Sequence, residues 1–180
     1  MAGINDTANV ERSKDYKEIT NYIFEELSKR NLLRKSSTTY QNTESLLYKY
    51  KDLKKSIEDR EEEIEEIKTT GLRSKSKSIL QMPQGGPHND ELETDIINGL
   101  IMDIKKTQLI INRIDRIINK FKNDKYIEIV KQKYFEGKTQ QDIADYFDKD
   151  TTTIWRNNKR LINEIKVYLF PNDVVKELNY

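Results

Sequence analysis

Between residues 43 and 68 the apolar side chains Leu46, Tyr50, Leu53, Ile57, Ile64 and Ile67 recur at alternating steps of four and three, and Arg60 alone breaks the series. Such spacing lays a narrow apolar seam along a helix and predicts a coiled-coil segment of about three and a half heptads. Gly71 is expected to end it. A wider stripe of Leu92, Ile96, Leu100, Ile104, Ile111, Ile114 and Ile118, broadened at Leu109 and Ile110, predicts a long helix from residue 90 to residue 121. Tyr16, Ile19, Ile23 and Leu27 predict a shorter helix over 15–30, after a polar, disordered stretch at 1–14. The segment LRSKSKSILQMPQGGPHN at 72–89 is rich in Ser, Lys, Gly and Pro and is expected to be a loop. Two long helices joined by such a loop pair as an antiparallel hairpin, or one of them zips with its copy in a second chain.

The pattern changes after residue 122. Ile127, Val130 and Tyr134 form a short support stripe, and Glu136-Gly137-Lys138 is a turn. The run TQQDIADYFDKDTTTIWRNNKRLINEI at 139–165 then reads as helix, turn and helix. Thr139 with Asp142 three residues later has the form of a capping box. Ile143, Ala144 and Phe147 share one face, and the small Ala144 lets a second helix cross closely. Asp148-Lys149-Asp150 is the turn, with Asp150 placed to cap the next helix. Ile154, Leu161 and Ile165 anchor that helix, while its opposite face carries Thr151, Thr152, Trp155, Arg156, Lys159 and Arg160. Hydroxyl, aromatic and cationic groups together suit phosphates and base edges.

Residues 126–169 resemble region 4 of the sigma-70 type transcription factors, and with the long helical half before it the chain resembles the RinA/ArpU-like regulators of phage late genes. It departs from the pattern at Lys149 and Asn157, where apolar residues are usual. The resemblance implies an all-α fold of long helices in a coiled-coil hairpin (15–121, loop 71–89), followed by a C-terminal sigma region 4-like helix-turn-helix domain (122–180). It implies a sequence-specific DNA-binding regulator that catalyses nothing, with helix 151–168 in the major groove. Thr151, Thr152, Trp155 and Arg156 would face bases, and Lys159 and Arg160 would lie nearer phosphates. The helix-turn-helix core would be Ile143, Ala144, Phe147, Ile154 and Leu161. The partners implied are double-stranded DNA and RNA polymerase, with a homo-oligomer, a dimer first, built from the upstream helices. A phage terminase small subunit joins a similar helix-turn-helix to a helical assembly region, so packaging recognition is the alternative; a helical scaffold is a third.

Composition narrows the remaining classes. Of the 180 residues 35% are apolar and 35% charged, too lean for one large core. Cysteine is absent, which excludes disulfides and thiolate metal sites and fits a reducing cytoplasm. No apolar run reaches membrane-spanning length, and no basic segment and apolar core follow Met1, so a soluble cytoplasmic protein is expected. The lone His88 lacks partners for a triad or zinc site, and no glycine-rich phosphate loop follows a strand, so neither catalytic residues, metal nor cofactor are expected. The acidic run EDREEEIEE at 58–66 reads as a solvated helix face, one that phosphate repulsion keeps away from DNA. Arg73, Lys75 and Lys77 in the loop could touch phosphates or simply solubilise it.

Overall fold

The computed structural model describes Glu25, residues 38–72 and residues 89–178. The expected helix at 15–30 and nearly all of the loop fall outside that set. All regular structure among the described residues is helical. The elements are α1 (Thr39–Tyr48), α2 (Tyr50–Thr70), α3 (Asn89–Lys120), α4 (Ile127–Val130) with a π-helical turn (Lys131–Phe135), α5 (Gln140–Phe147), α6 (Thr151–Leu169) and α7 (Pro171–Leu178). No described helix is long and apolar enough to cross a membrane.

The chain divides into two compact units, one of them Lys51–Ile111 and the other formed by the residues on either side of it. In the first unit Leu53, Ile57, Ile64 and Ile67 are buried along α2, while the acidic run lies on its exposed side. Arg60 is half-buried and donates to the Ser56 carbonyl at 2.7 Å, which explains how a cation is tolerated within the seam. Helix α2 ends at Thr70 because Gly71 adopts φ +66°, a left-handed conformation that suits glycine. The next amide, Leu72 N–H, donates to Glu93 Oε1 at 3.1 Å in the first turns of α3. Along α3, Thr107 is fully buried with its hydroxyl bonded to the Asp103 carbonyl, and Ile110 and Ile111 are buried beside it. Leu92 and Leu109 depart from the expected stripe and stand exposed.

The heptad expected from residue 43 is not one helix. It breaks at Lys49, and the cause is aromatic. Residues two apart on a continuous helix point to nearly opposite sides. With the break, Tyr48 packs edge-on against Tyr134 (4.6 Å between ring centroids) and Tyr50 stacks on Phe135 (4.1 Å), so both rings grip the same π-helical turn.

The second unit is built around α6. Its Ile154, Asn158, Leu161, Ile162, Ile165 and Leu169 are buried, and α1, α4, α5 and α7 pack on it. Helix α1 contributes the fully buried Leu46 and Leu47, and the end of α3 contributes Ile114, Ile117 and Ile118. The expected boundary at 122 therefore does not mark where this unit begins. Helix α7 closes it with a two-way link: Glu177 accepts from the Thr39 amide at 2.7 Å and pairs with Lys166 at 3.8 Å. An anion at a helix start is favoured by the free N–H groups and the dipole there. The Thr39 amide and the nearby Lys166 accordingly hold the Glu177 carboxyl below its ordinary value.

Candidate nucleic-acid interface

The site is assembled from local caps. Thr139 Oγ accepts from the Asp142 amide at 3.2 Å and the Thr139 amide donates to Asp142 Oδ2 at 3.1 Å, a closed capping box that starts α5. At its other end Asp148 has φ 50° and ψ 51°. Its amide reaches Asp145 O at 3.2 Å and the Lys149 amide reaches Ala144 O at 3.0 Å. This pair of bonds is the Schellman arrangement, and it reverses the chain within three residues. Asp150 then caps α6, accepting from the Thr153 amide at 2.8 Å and from its hydroxyl at 2.6 Å. The bonds from Thr139 and Thr153 respectively hold the Asp142 and Asp150 carboxyls below their ordinary value.

Beneath the turn a small core joins three helices. Ile129 of α4, Ile143 and Ala144 of α5 and Ile154 of α6 form one buried cluster, with Tyr126 and Phe147 packed against it. The expected core residues Ile143, Ala144, Phe147 and Ile154 thus meet here, and Leu161 is buried one turn and more further along α6. Phe147 is only half-buried, between the rings of Tyr126 (5.6 Å) and Tyr146 (5.1 Å).

The expected contact residues separate into two groups. Thr152, Trp155, Arg156 and Lys159 are exposed and fall at i, i+3, i+4 and i+7, a single stripe on the outer face of α6. Lys159 Nζ lies 5.1 Å from the Trp155 ring centre, within reach of a cation–π attraction that holds both groups at the surface. Neither Arg156 nor Lys159 forms an ion pair with a described residue, so their charge is free for a partner. Thr151 is half-buried at the first position, and its carbonyl accepts from Gln140 Nε2 at 2.8 Å, pinning the start of α5 to the start of α6.

Arg160 departs from the expectation. Its guanidinium bridges Asp124 at 2.8 Å and Glu164 at 2.9 Å, and these bonds hold it above its ordinary pKa against the opposing effect of burial. The other oxygen of Asp124 accepts from the Tyr126 amide at 2.8 Å. Arg160 thereby ties α6 to the entry of α4 instead of standing free beside a phosphate. Lys149 and Asn157, the departures from the family pattern, cause no packing defect: Lys149 is exposed, and Asn157 Nδ2 donates to the Thr153 carbonyl at 2.9 Å.

One cluster was not anticipated. Asn158, 4% exposed, donates through Nδ2 to Tyr134 Oη at 3.1 Å, and Tyr134 Oη donates to Glu44 Oε1 at 2.6 Å. Burial and then the bond to Glu44 push the Tyr134 phenol far above its ordinary value, so it stays protonated. This chain runs from α1 through the π-helical turn to the inner face of α6. The available signal was position: Asn158 lies four residues after Ile154 and three before Leu161, on the buried stripe itself.

No protein-family model matches this chain, and neither a curated protein nor a solved structure is found to resemble it.

Proposed function

We propose that the protein is a sequence-specific DNA-binding transcriptional regulator of phage or prophage type, with α5 and α6 as its helix-turn-helix and α6 as the reading helix. The observation that carries the proposal is the outer stripe Thr152, Trp155, Arg156 and Lys159. It combines two uncommitted cations, a hydroxyl and an aromatic ring on a helix whose other face is held rigidly by core and caps. A helix of that kind fits the major groove, where hydroxyl and guanidinium groups read base edges and a lysine fixes the backbone. The resemblance of residues 126–169 to sigma-70 region 4 supports the same assignment and adds RNA polymerase as the partner of a regulator. The α2 seam is already buried within one chain, so a second copy would have to dock elsewhere.

Selection of binding sites from random duplexes, followed by titration of Arg156→Ala against the selected and a scrambled site, tests the proposal. An arginine that bridges a guanine edge contributes about 1–3 kcal/mol of discrimination. The variant is expected to bind the selected site more weakly by that amount and the scrambled site almost unchanged. A folded Arg156→Ala protein with both affinities unaltered would falsify the role of α6.

A further inference from the structure

Helix α3 carries a second apolar row, on the side away from its covered one. Ile96, Leu100 and Ile104 are half-buried and Thr107 and Ile111 fully buried along the covered side. Leu92, Met102 and Leu109 lie outside that stripe and are 52%, 53% and 43% exposed. With Asp95, Gly99 and Lys106 they form two rows with a step of seven, 92–99–106 and 95–102–109, the a and d positions of a heptad over about five turns. Asp95 and Gly99 are exposed as well, and a Cβ at Gly99 would meet nothing within 4 Å. Asp95 forms no ion pair with a described residue. Lys106 approaches Asp103 at 4.0 Å, a partly exposed contact of little strength.

The order of these six residues is self-complementary. Turned end for end about a two-fold axis, position 92 faces 109, 95 faces 106 and 99 faces 102. Leu92 then meets the partner's Leu109, Asp95 meets the partner's Lys106, and Gly99 leaves room for the partner's Met102. Two-fold symmetry makes each contact twice. In a parallel pair every residue would face its own copy. That would set Asp95 against the partner's Asp95 and Lys106 against the partner's Lys106, and like charges so placed disfavour it. A glycine within an exposed helix weakens it relative to alanine. Against a second helix the missing side chain becomes the hole that receives a methionine.

We infer that the outer face of α3 is a dimer interface, joining two copies of this chain antiparallel through the two rows. It supplies the docking surface that the buried α2 seam does not, and it is independent of the DNA-reading role of α6. A seam of about five turns buries less than a standard interface, so the dimer is reversible, with a dissociation constant in the micromolar range.

Sedimentation equilibrium of the full-length protein without DNA, from about 1 to about 200 µM, tests the interface. A reversible monomer–dimer equilibrium is expected. Asp95→Lys and Lys106→Asp, each alone, set like charges opposite one another in both polar contacts and should weaken association about tenfold or more. In a parallel pair each variant would face its own copy just as the wild type does, so weakening marks the antiparallel order. Mixed in equal amounts, the two variants should recover wild-type association, because one copy then presents cations at 95 and 106 and the other anions. Circular dichroism checks that each variant keeps its helix; should Lys106→Asp lose it, Met102→Lys, at a more exposed position, takes its place and should weaken association about tenfold. A wild-type protein that stays monomeric throughout overturns the inference. So do an assembly larger than a dimer, folded variants that associate as strongly as the wild type, and a mixture no stronger than its components. Because DNA is absent, failure here leaves the groove-reading role of α6 standing, and failure of DNA binding leaves the interface standing.

Discussion

Lys159 and Arg160 are consecutive cations on α6, yet the structure gives them different tasks. Lys159 is exposed and rests on Trp155, whereas Arg160 is engaged by Asp124 and Glu164. Lys159→Ala should weaken binding to every DNA sequence alike and flatten the dependence of log affinity on log salt by about one unit, as the loss of one phosphate contact does. Arg160→Ala should leave the salt slope nearly unchanged and lower stability only slightly, by about 0–1 kcal/mol, because the pair is partly exposed and screened. Titrations at several salt concentrations, with urea unfolding of each variant, separate the two. Ile154→Ala belongs to a third kind: its side chain is fully buried against Ile129, Ile143 and Ala144, and its loss should cost about 2–5 kcal/mol in unfolding free energy. The sequence pattern distinguishes Ile154 from Lys159, since burial follows helical period. It does not distinguish Lys159 from Arg160, because Asp124 lies 36 residues away and nothing local announces it.

At the scale of elements, the ends of α5 and α6 were legible because caps are local chemistry. Thr139 with Asp142 and Asp150 with Thr153 each close within three residues, and both form as their residue types require. The break at Lys49 and the π-helical turn were not legible, because they answer to aromatic contacts between segments far apart in sequence. The caps carry a pH prediction. The Asp142 and Asp150 carboxyls titrate lower in the folded chain than their ordinary value of 3.8, so unfolding takes up protons. Their stabilising contribution is complete above that value and is lost as pH falls through the lower folded values. Helicity followed by circular dichroism should therefore decline below about pH 4, and Asp150→Asn, which removes the titrating group but keeps a capping oxygen, should diminish that acid dependence. Asp148, at φ 50°, is a non-glycine residue in the left-handed region. Asp148→Gly relieves that backbone cost and should raise stability by up to about 1 kcal/mol, read from the urea midpoint. A decrease would mean that the Asp148 side chain makes the turn more stable than its backbone cost.

For the whole molecule, the sequence places a boundary at residue 122, and the three-helix core around Ile154 makes that placement reasonable. Packing on α6 moves it. Leu161, Ile162 and Ile165 are each fully buried, and α1 packs on α6 as extensively as α5 does. Glu44 of α1 accepts from Tyr134, and Tyr48 covers the same ring. Ile114, Ile117 and Ile118 at the end of α3 belong to the same unit. A fragment of residues 123–180 keeps the caps, the turn and the outer stripe but lacks these covering side chains. Each large aliphatic group returned to water forfeits about 1.5–3 kcal/mol, and a domain is stable by only about 5–15 kcal/mol in total. Losing the cover of α1 and of the α3 end removes several such groups at once. The fragment is therefore expected to show residual helix without a cooperative urea transition, while residues 38–180 unfold cooperatively. The two can be compared by circular dichroism at equal concentration. A sharp transition in the short fragment would mean that α4, α5, α6 and α7 suffice as a domain, and that α1 is packed against a unit already stable without it.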